Sequence, residues 1–508
     1  MRSSLLESFL VRNERSLILL FCLLAGIRVF VFTAAFPFFS NIDESDHFDV
    51  ISKYAHGEIP EAGELFGDES SALIGRFASP EYYHYESQYK DGNIPLPWWS
   101  DSSQIPDRMM ITRIMRNQIS GEAMQPPVYY FVTGCWHRLG KVIGLRGGFL
   151  LYWTRFLNVP AYVLMVGLAY ATVRKFYPDR LFLRIGVPMM LVFFPQDVFY
   201  QLSNDVFSAL LCGVVFYLAL DFYVADSISY KSCLLTGLAV AVACLVKLTN
   251  MLVMPMLAVV VLAKARILFS NRRLGGEWPK MAALLAAGLL PVAAWMLQNH
   301  SMQGGWTNST FKMSFLRLRP CSWDEILHHP IFTLHGAAFF WDELLRTFWR
   351  GETGWMLLTL SWDVADVFYS STSFLFLMAA LLGLVIGWRK KSDGERFSTS
   401  MMFLAFATGI GLIAWLSVSM ISVPFEGHGF LPHPSPEHPY VTAGRLISGA
   451  LIPFLILYLQ GLDWLLSRWK GIGVRLACVG AILLLMAGSE IVISQGPFHS
   501  RYNWFHLP

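Results

Sequence analysis

Apolar residues in this chain gather into long runs separated by short polar stretches, rather than recurring at the spacing of a half-buried helix or strand. Ser16–Ala35, Leu234–Leu248, Met281–Leu297 and Leu476–Ile493 are such runs, each near the ~20 residues a helix needs to cross a bilayer core. The pattern predicts eleven transmembrane helices, at 16–36, 150–173, 181–200, 205–224, 232–248, 251–270, 281–298, 368–388, 399–422, 444–464 and 473–493. Residues 126–141 start apolar but end charged and are too short to span; they are kept at the outer surface. The first run has basic flanks in Arg12 and Arg15, as a signal peptide would. It is long, however, and runs into Phe36-Pro37-Phe38-Phe39 rather than small residues, so it reads as a retained helix.

Charge settles the expected topology. Arg174, Lys175, Arg180 and Arg184 fall in one interspan loop, and Lys264, Arg266, Arg272, Arg273 and Lys280 in another. Arg389, Lys390, Lys391 and Arg396 follow, then Arg468, Lys470 and Arg475. Basic residues in short loops mark the cytoplasmic side, which puts the N-terminus, with Arg2, inside and the C-terminus outside. Two long segments, 37–149 and 299–367, are then external. The expected organisation is a catalytic membrane module over 1–298 carrying loop 37–149, a second outer loop 299–367, and C-terminal membrane helices over 368–508. Both loops are expected to hold short amphipathic helices; Leu96-Pro97-Trp98-Trp99 suits the headgroup level.

Composition agrees. The 508 residues are 55% hydrophobic and 15% charged, against about 25% charged in a soluble domain. A net charge of +3 is too small to argue for nucleic acid. The seven cysteines lie mostly in apolar runs and form neither a disulfide framework nor a metal-type spacing.

Four groups of residues carry candidate chemistry. Asn41-Ile42-Asp43-Glu44-Ser45-Asp46-His47-Phe48 crowds ionisable groups against the membrane just after the first span. Acidic groups at that depth are costly and point to function, and a carboxylate there suits general-base work; a solvated turn is the plain alternative. Ser203-Asn204-Asp205 opens the fourth span, where Asp205 either caps the helix or lines a site. Arg155, Lys247 and Arg445 share the outer depth and suit a phosphate, each alone being an ordinary snorkelling cation. Phe348-Trp349-Arg350-Gly351-Glu352-Thr353-Gly354-Trp355-Met356 mixes aromatics that can stack on sugar rings with glycines that allow close approach. The sequon at Asn308 and the histidines His428, His433 and His438 are weaker signals.

These residues resemble the GT-C superfamily of membrane glycosyltransferases, and most closely its bacterial branch called domain of unknown function 2142. The segment from Asn41 to Phe48 looks like that branch's "DEPxHF" element, without its proline. Gln125-Pro126-Pro127-Val128-Tyr129-Tyr130 is similar to its Pro-Pro-x-Tyr-Tyr element and Ser203-Asn204-Asp205 to its "NxD". Phe348–Met356 resembles "FWGxFGWM", and Ala443-Gly444-Arg445 resembles "QGRY".

The resemblance implies an all-α, GT-C-like bundle of about eleven spans in a bacterial plasma membrane. Its implied activity is inverting transfer of a sugar from a polyprenyl-phosphate donor to a cell-envelope glycan, lipid or protein on the outer face. It implies Asp43 as base, with Glu44 as rival, and Asp205 as assistant. Arg445, Lys247 and Arg155 would hold the donor phosphate, and His47, Gln125, Tyr129, Tyr130, Asn204, Trp349 and Trp355 would contact substrate. A divalent cation, Mg or Mn, on Asp43 and Asp205 is left open. The alternatives are a transporter or flippase of lipid-linked glycans, which would place charge at the midplane, and an O-antigen ligase or polymerase using Arg and His of a late loop.

Overall fold

The computed structural model describes residues 5–307, 309–388, 392–423, 433–469 and 471–508. Arg2, Asn308, Arg389, Lys390, Lys391, His428 and Lys470 lie outside these. Among the described residues, nine helices are long and apolar enough to cross a membrane: Leu5–Ala35, Gly147–Phe176, Asp205–Val224, Leu248–Ser270, Leu274–Met302, Asp363–Ile386, Asp393–Ser419, Gly444–Leu465 and Ile472–Ile493. Two shorter apolar helices, Leu181–Val192 and Tyr230–Val246, complete a bundle of eleven. In chain order they are numbered here as spans one to eleven.

The chain is an all-helical polytopic membrane protein, and the apolar runs fall where the hydrophobic pattern puts them. The boundaries differ for local reasons. Span three stops at Val192 because Phe194 precedes Pro195, and a residue before proline is pushed out of the helical region; a short 3-10 turn, Asp197–Tyr200, follows. Span two carries a break at Phe156 between helices Gly147–Arg155 and Asn158–Phe176. Span ten is the central one, with 83% of its apolar window buried, and Phe454, Tyr458 and Leu455 sit at its core.

Residues 37–146 leave span one and return to span two at the same end of the bundle: the Arg155 guanidinium donates to the Phe36 carbonyl at 2.5 Å. The Pro127–Val142 helix therefore does not cross. It packs on the Glu44–His56 helix through Gly134, where a β-carbon would lie 3.0 Å from the Ala55 nitrogen. Its opposite face, with Phe131 and Val142, is exposed and apolar. Residues 304–307 and 309–362 close over the same end, where Leu318–Pro320 pairs antiparallel with Met420–Ser422. The end of the bundle holding both long segments is the site end.

Candidate active site

A cavity of about 330 Å³ opens at the site end. Asp43, His47, Glu122, Lys247, Lys312 and Arg445 bring charge or titratable chemistry to it, and Leu248, Leu416, Met420 and Leu446 give it an apolar wall. Charged groups beside an apolar wall form a surface suited to an amphipathic ligand.

Asp43 owes its position to its backbone. It stands at the N-cap of the Glu44–His56 helix with φ 51° and ψ 14°, in the left-handed region, and makes no side-chain cap bond. Aspartate tolerates that conformation better than most residues, and the turn sends the carboxylate into the cavity instead of onto the helix end. There it accepts a hydrogen bond from Arg445 Nη2 at 2.8 Å. Burial alone would raise the Asp43 carboxyl, but the Arg445 guanidinium and Lys312 ammonium hold it below the ordinary carboxylate range. The side chain is still 44% exposed, because it faces the open cavity.

Arg445 is held from both sides. Glu352 lies 3.6 Å from its Nε, and burial raises the Glu352 carboxyl against the pull of that guanidinium. Gly444 must be glycine: a β-carbon there would fall 2.1 Å from the Phe348 nitrogen. Its N–H donates to the Thr347 hydroxyl at 3.0 Å. The Ala443-Gly444-Arg445 and Phe348–Met356 elements thus interlock.

The second element is itself clamped. The Thr353 N–H donates to Asp197 Oδ2 and the Gly354 N–H to Asn41 Oδ1, both at 3.0 Å. Gly351 has φ 95° and no room for a β-carbon beside Asp197. What reads in sequence as a sugar-stacking surface is a strut that sets Glu352 against Arg445 and ties it to the turn bearing Asp43.

Asp205 is wholly buried behind the cavity and pairs with Lys247. It also accepts from the Ser203 hydroxyl at 3.0 Å and the Ser448 hydroxyl at 3.3 Å. It fixes the ammonium that lines the cavity rather than reaching the cavity itself. His47 lines the cavity and bonds the Tyr130 hydroxyl at 2.8 Å; burial lowers its pKa against the pull of Glu122 and Asp43. Gln125 and Asn204 also line the cavity.

Seven expected residues do not: Asp205, Tyr130, which is fully buried beside His47, and five more. Glu44 and Arg155 are fully buried and bind each other, with Arg155 Nη2 at 2.6 and 2.7 Å from the two carboxylate oxygens. Glu44 also accepts from the N–H groups of Phe39, Ser40 and Leu202. Neither can meet a proton or a phosphate, so the rival base and the third phosphate cation are both corrected to a structural ion pair tying the first loop to span two. Trp349 is fully buried, stacked on Tyr369 and bonded to Ser373, and Trp355 packs edge-on against Tyr82. Tyr129 is buried against Tyr130 and Phe207. Trp349 and Tyr129 are core, and the half-buried Trp355 faces Tyr82 rather than the charged cavity.

The sequence reading missed Glu122 and Lys312, and gave Glu352 no role beyond its place in a motif. Glu122 pairs with Lys312, and both lie in stretches without a motif; only the proximity of Glu122 to Gln125 hints at it. Asp46, behind this pair, accepts from the Gly121 N–H at 2.6 Å, and burial raises its carboxyl to about 7.

A divalent cation on Asp43 and Asp205 does not fit the donor set. Each carboxylate is already matched with a cation, and among the described residues no group of three or more Asp, Glu, His or Cys side chains is placed to hold a metal.

Residues 23–430 match the model of the family described as "Predicted membrane protein (DUF2142)". The chain belongs to this family. No curated protein matches it. Among solved structures, this family member is similar to the crystal structure of ArnT from Cupriavidus metallidurans bound to undecaprenyl phosphate, with 13% identity and a TM-score of 0.46 over 95% of this chain and 75% of that one.

Proposed function

We propose that this DUF2142 protein is an inverting glycosyltransferase. It moves a sugar from a polyprenyl-phosphate donor to a hydroxyl of a cell-envelope glycan, lipid or protein at the outer face of a bacterial plasma membrane. The observation that carries the reading is the cavity in which the Asp43 carboxylate meets Arg445 at 2.8 Å, with Lys247 and Lys312 beside them and an apolar wall next to the charges.

The chemistry follows from that arrangement. The donor phosphate sits among Arg445, Lys247 and Lys312, whose preorganised charge stabilises the leaving group. By drawing on Arg445 it loosens the grip on Asp43 and raises the basicity of that carboxylate. The acceptor oxygen attacks the anomeric carbon, its proton passes to Asp43, and the bond from that carbon to the phosphate oxygen breaks with its electron pair on the phosphate. Attack opposite the leaving group inverts the anomeric centre. The cavity that gathers these charges opens at one end of the bundle, where the two long segments lie, rather than within the spans, which favours this reading over a transporter.

The decisive experiment is transfer of radiolabelled sugar from a panel of polyprenyl-phosphate donors in proteoliposomes, wild type against Asp43→Asn. Donor consumption that disappears in the variant is expected. Consumption of no donor by folded wild type, supplied with a crude acceptor extract, overturns the reading.

A further inference from the structure

A second cavity, of about 290 Å³, adjoins the charged one. The strip Glu122–Gln125 separates them: Glu122 faces the charged chamber, Ala123 and Met124 face the second, and Gln125 lines both. The far walls are Phe131 and Val128 of the helix Pro127–Val142 and Trp295, Gln298 and Asn299 of span seven.

The two chambers differ in kind. No Asp, Glu, Lys, Arg or His lines the second among the described residues, only apolar and aromatic groups with three amides. One amide is anomalous. Asn299 is 3% exposed, yet its Nδ2 has no hydrogen-bond partner among the described residues. A buried polar donor left unpaired is costly, and such groups call for an explanation. A ligand acceptor atom at that point supplies one.

Access is from the lipid. Only 22% of span seven's apolar window is buried against protein, and Ile59, Phe131 and Met302 of the chamber's own wall are exposed. A soluble glycan or an anionic headgroup gains little there: an anion would enter without a counter-charge, which is expensive in such surroundings. The donor's phosphate already has its cations in the first chamber, and its tail an apolar wall at Leu248, Leu416, Met420 and Leu446.

Building on the glycosyltransferase reading, we propose that this second chamber is the acceptor site. Its occupant is an uncharged, hydroxyl-bearing amphiphile drawn from the membrane, whose apolar part packs on Trp295 and Phe131. Its neutral head accepts from Asn299 and passes Gln125 to bring a hydroxyl to Asp43.

The test is photolabelling of the full-length protein in lipid nanodiscs with two probes, an alkyl glucoside carrying a diazirine in its chain and a farnesyl phosphate carrying the same group. Labelled peptides are mapped by mass spectrometry. The glucoside is expected to label 127–142 and 295–302, to be displaced by dodecyl maltoside but not by dodecyl phosphate, and to lose at least fivefold of that labelling in Asn299→Leu. The farnesyl phosphate is expected to label residues around Leu248 and Leu446 equally in wild type and variant, which also reports that the variant is folded. Farnesyl phosphate labelling 295–302 would overturn the proposal by giving the chamber to the donor tail. So would glucoside labelling that dodecyl phosphate displaces equally well in wild type, or that Asn299→Leu leaves unchanged. Failure of the phosphate probe at the first chamber, with glucoside labelling as expected, would uphold the second chamber as a neutral-amphiphile site while removing the donor assignment.

Discussion

Asp43 and Arg445, 402 positions apart in the chain, meet at 2.8 Å across the charged cavity. The pair joins the turn after span one to the mouth of span ten. It keeps the carboxylate ionised and, in the proposed reaction, gives it up when a donor phosphate competes for the guanidinium.

Replacing Asp43 by Asn removes the base but keeps the side-chain shape. Transfer should fall by about 10²–10⁴-fold, the usual contribution of a general base. Donor affinity should hold or improve, since Arg445 no longer has a carboxylate competing with the phosphate. Radiolabel transfer and donor titration on the same preparation check both; normal turnover would rule out Asp43 as the base.

Arg445→Ala should weaken donor binding about 10- to 100-fold, the worth of a hydrogen bond to a charged group. Arg445→Lys should recover part of it, because an ammonium supplies charge without the fork of donors. Donor titration by calorimetry or fluorescence distinguishes the two, and unchanged affinity in the alanine variant would count against the phosphate role.

Arg155→Met should behave differently. Breaking the buried pair with Glu44 leaves an uncompensated carboxylate, a cost of about 3–5 kcal/mol. Thermal stability in detergent should drop, while donor affinity of the fraction that folds stays as in wild type. A selective loss of donor affinity at normal stability would return Arg155 to the phosphate site.

Asp46 gives a pH test. Burial, with Glu122 and Asp43 nearby, raises its carboxyl to about 7 in the fold, well above the ordinary aspartate value of 3.8. The folded state therefore binds a proton that the unfolded chain releases earlier. The associated stability is complete below about pH 4 and is lost as pH rises through about 7. Asp46→Asn, neutral throughout and still able to accept from the Gly121 N–H, should gain stability relative to wild type across that interval. The gap should be constant above it, as read from melting temperatures between pH 4 and 9. A gap independent of pH would show that Asp46 does not titrate as the fold implies.

Hydrophobic runs, clustered polar motifs and loop lengths were enough to place eleven apolar helices, nine of them long enough to cross a membrane among the described residues, and the two long segments between them. Leaving water is a property of composition over about 20 residues, so it is written locally. The facing of individual side chains is not.

Asp43 and Glu44 are neighbours of the same chemistry. A left-handed turn sends one into the cavity, while the other is taken by Arg155 and three backbone N–H groups. Arg155 and Arg445 looked alike in depth, and only their partners, Glu44 and Asp43, separate structure from chemistry. Trp349 carries a motif but turns inward onto Tyr369. Lys312 carries none yet lines the cavity beside Glu122. Each outcome depends on which distant segment packs opposite, and long-range packing is what tertiary structure alone decides.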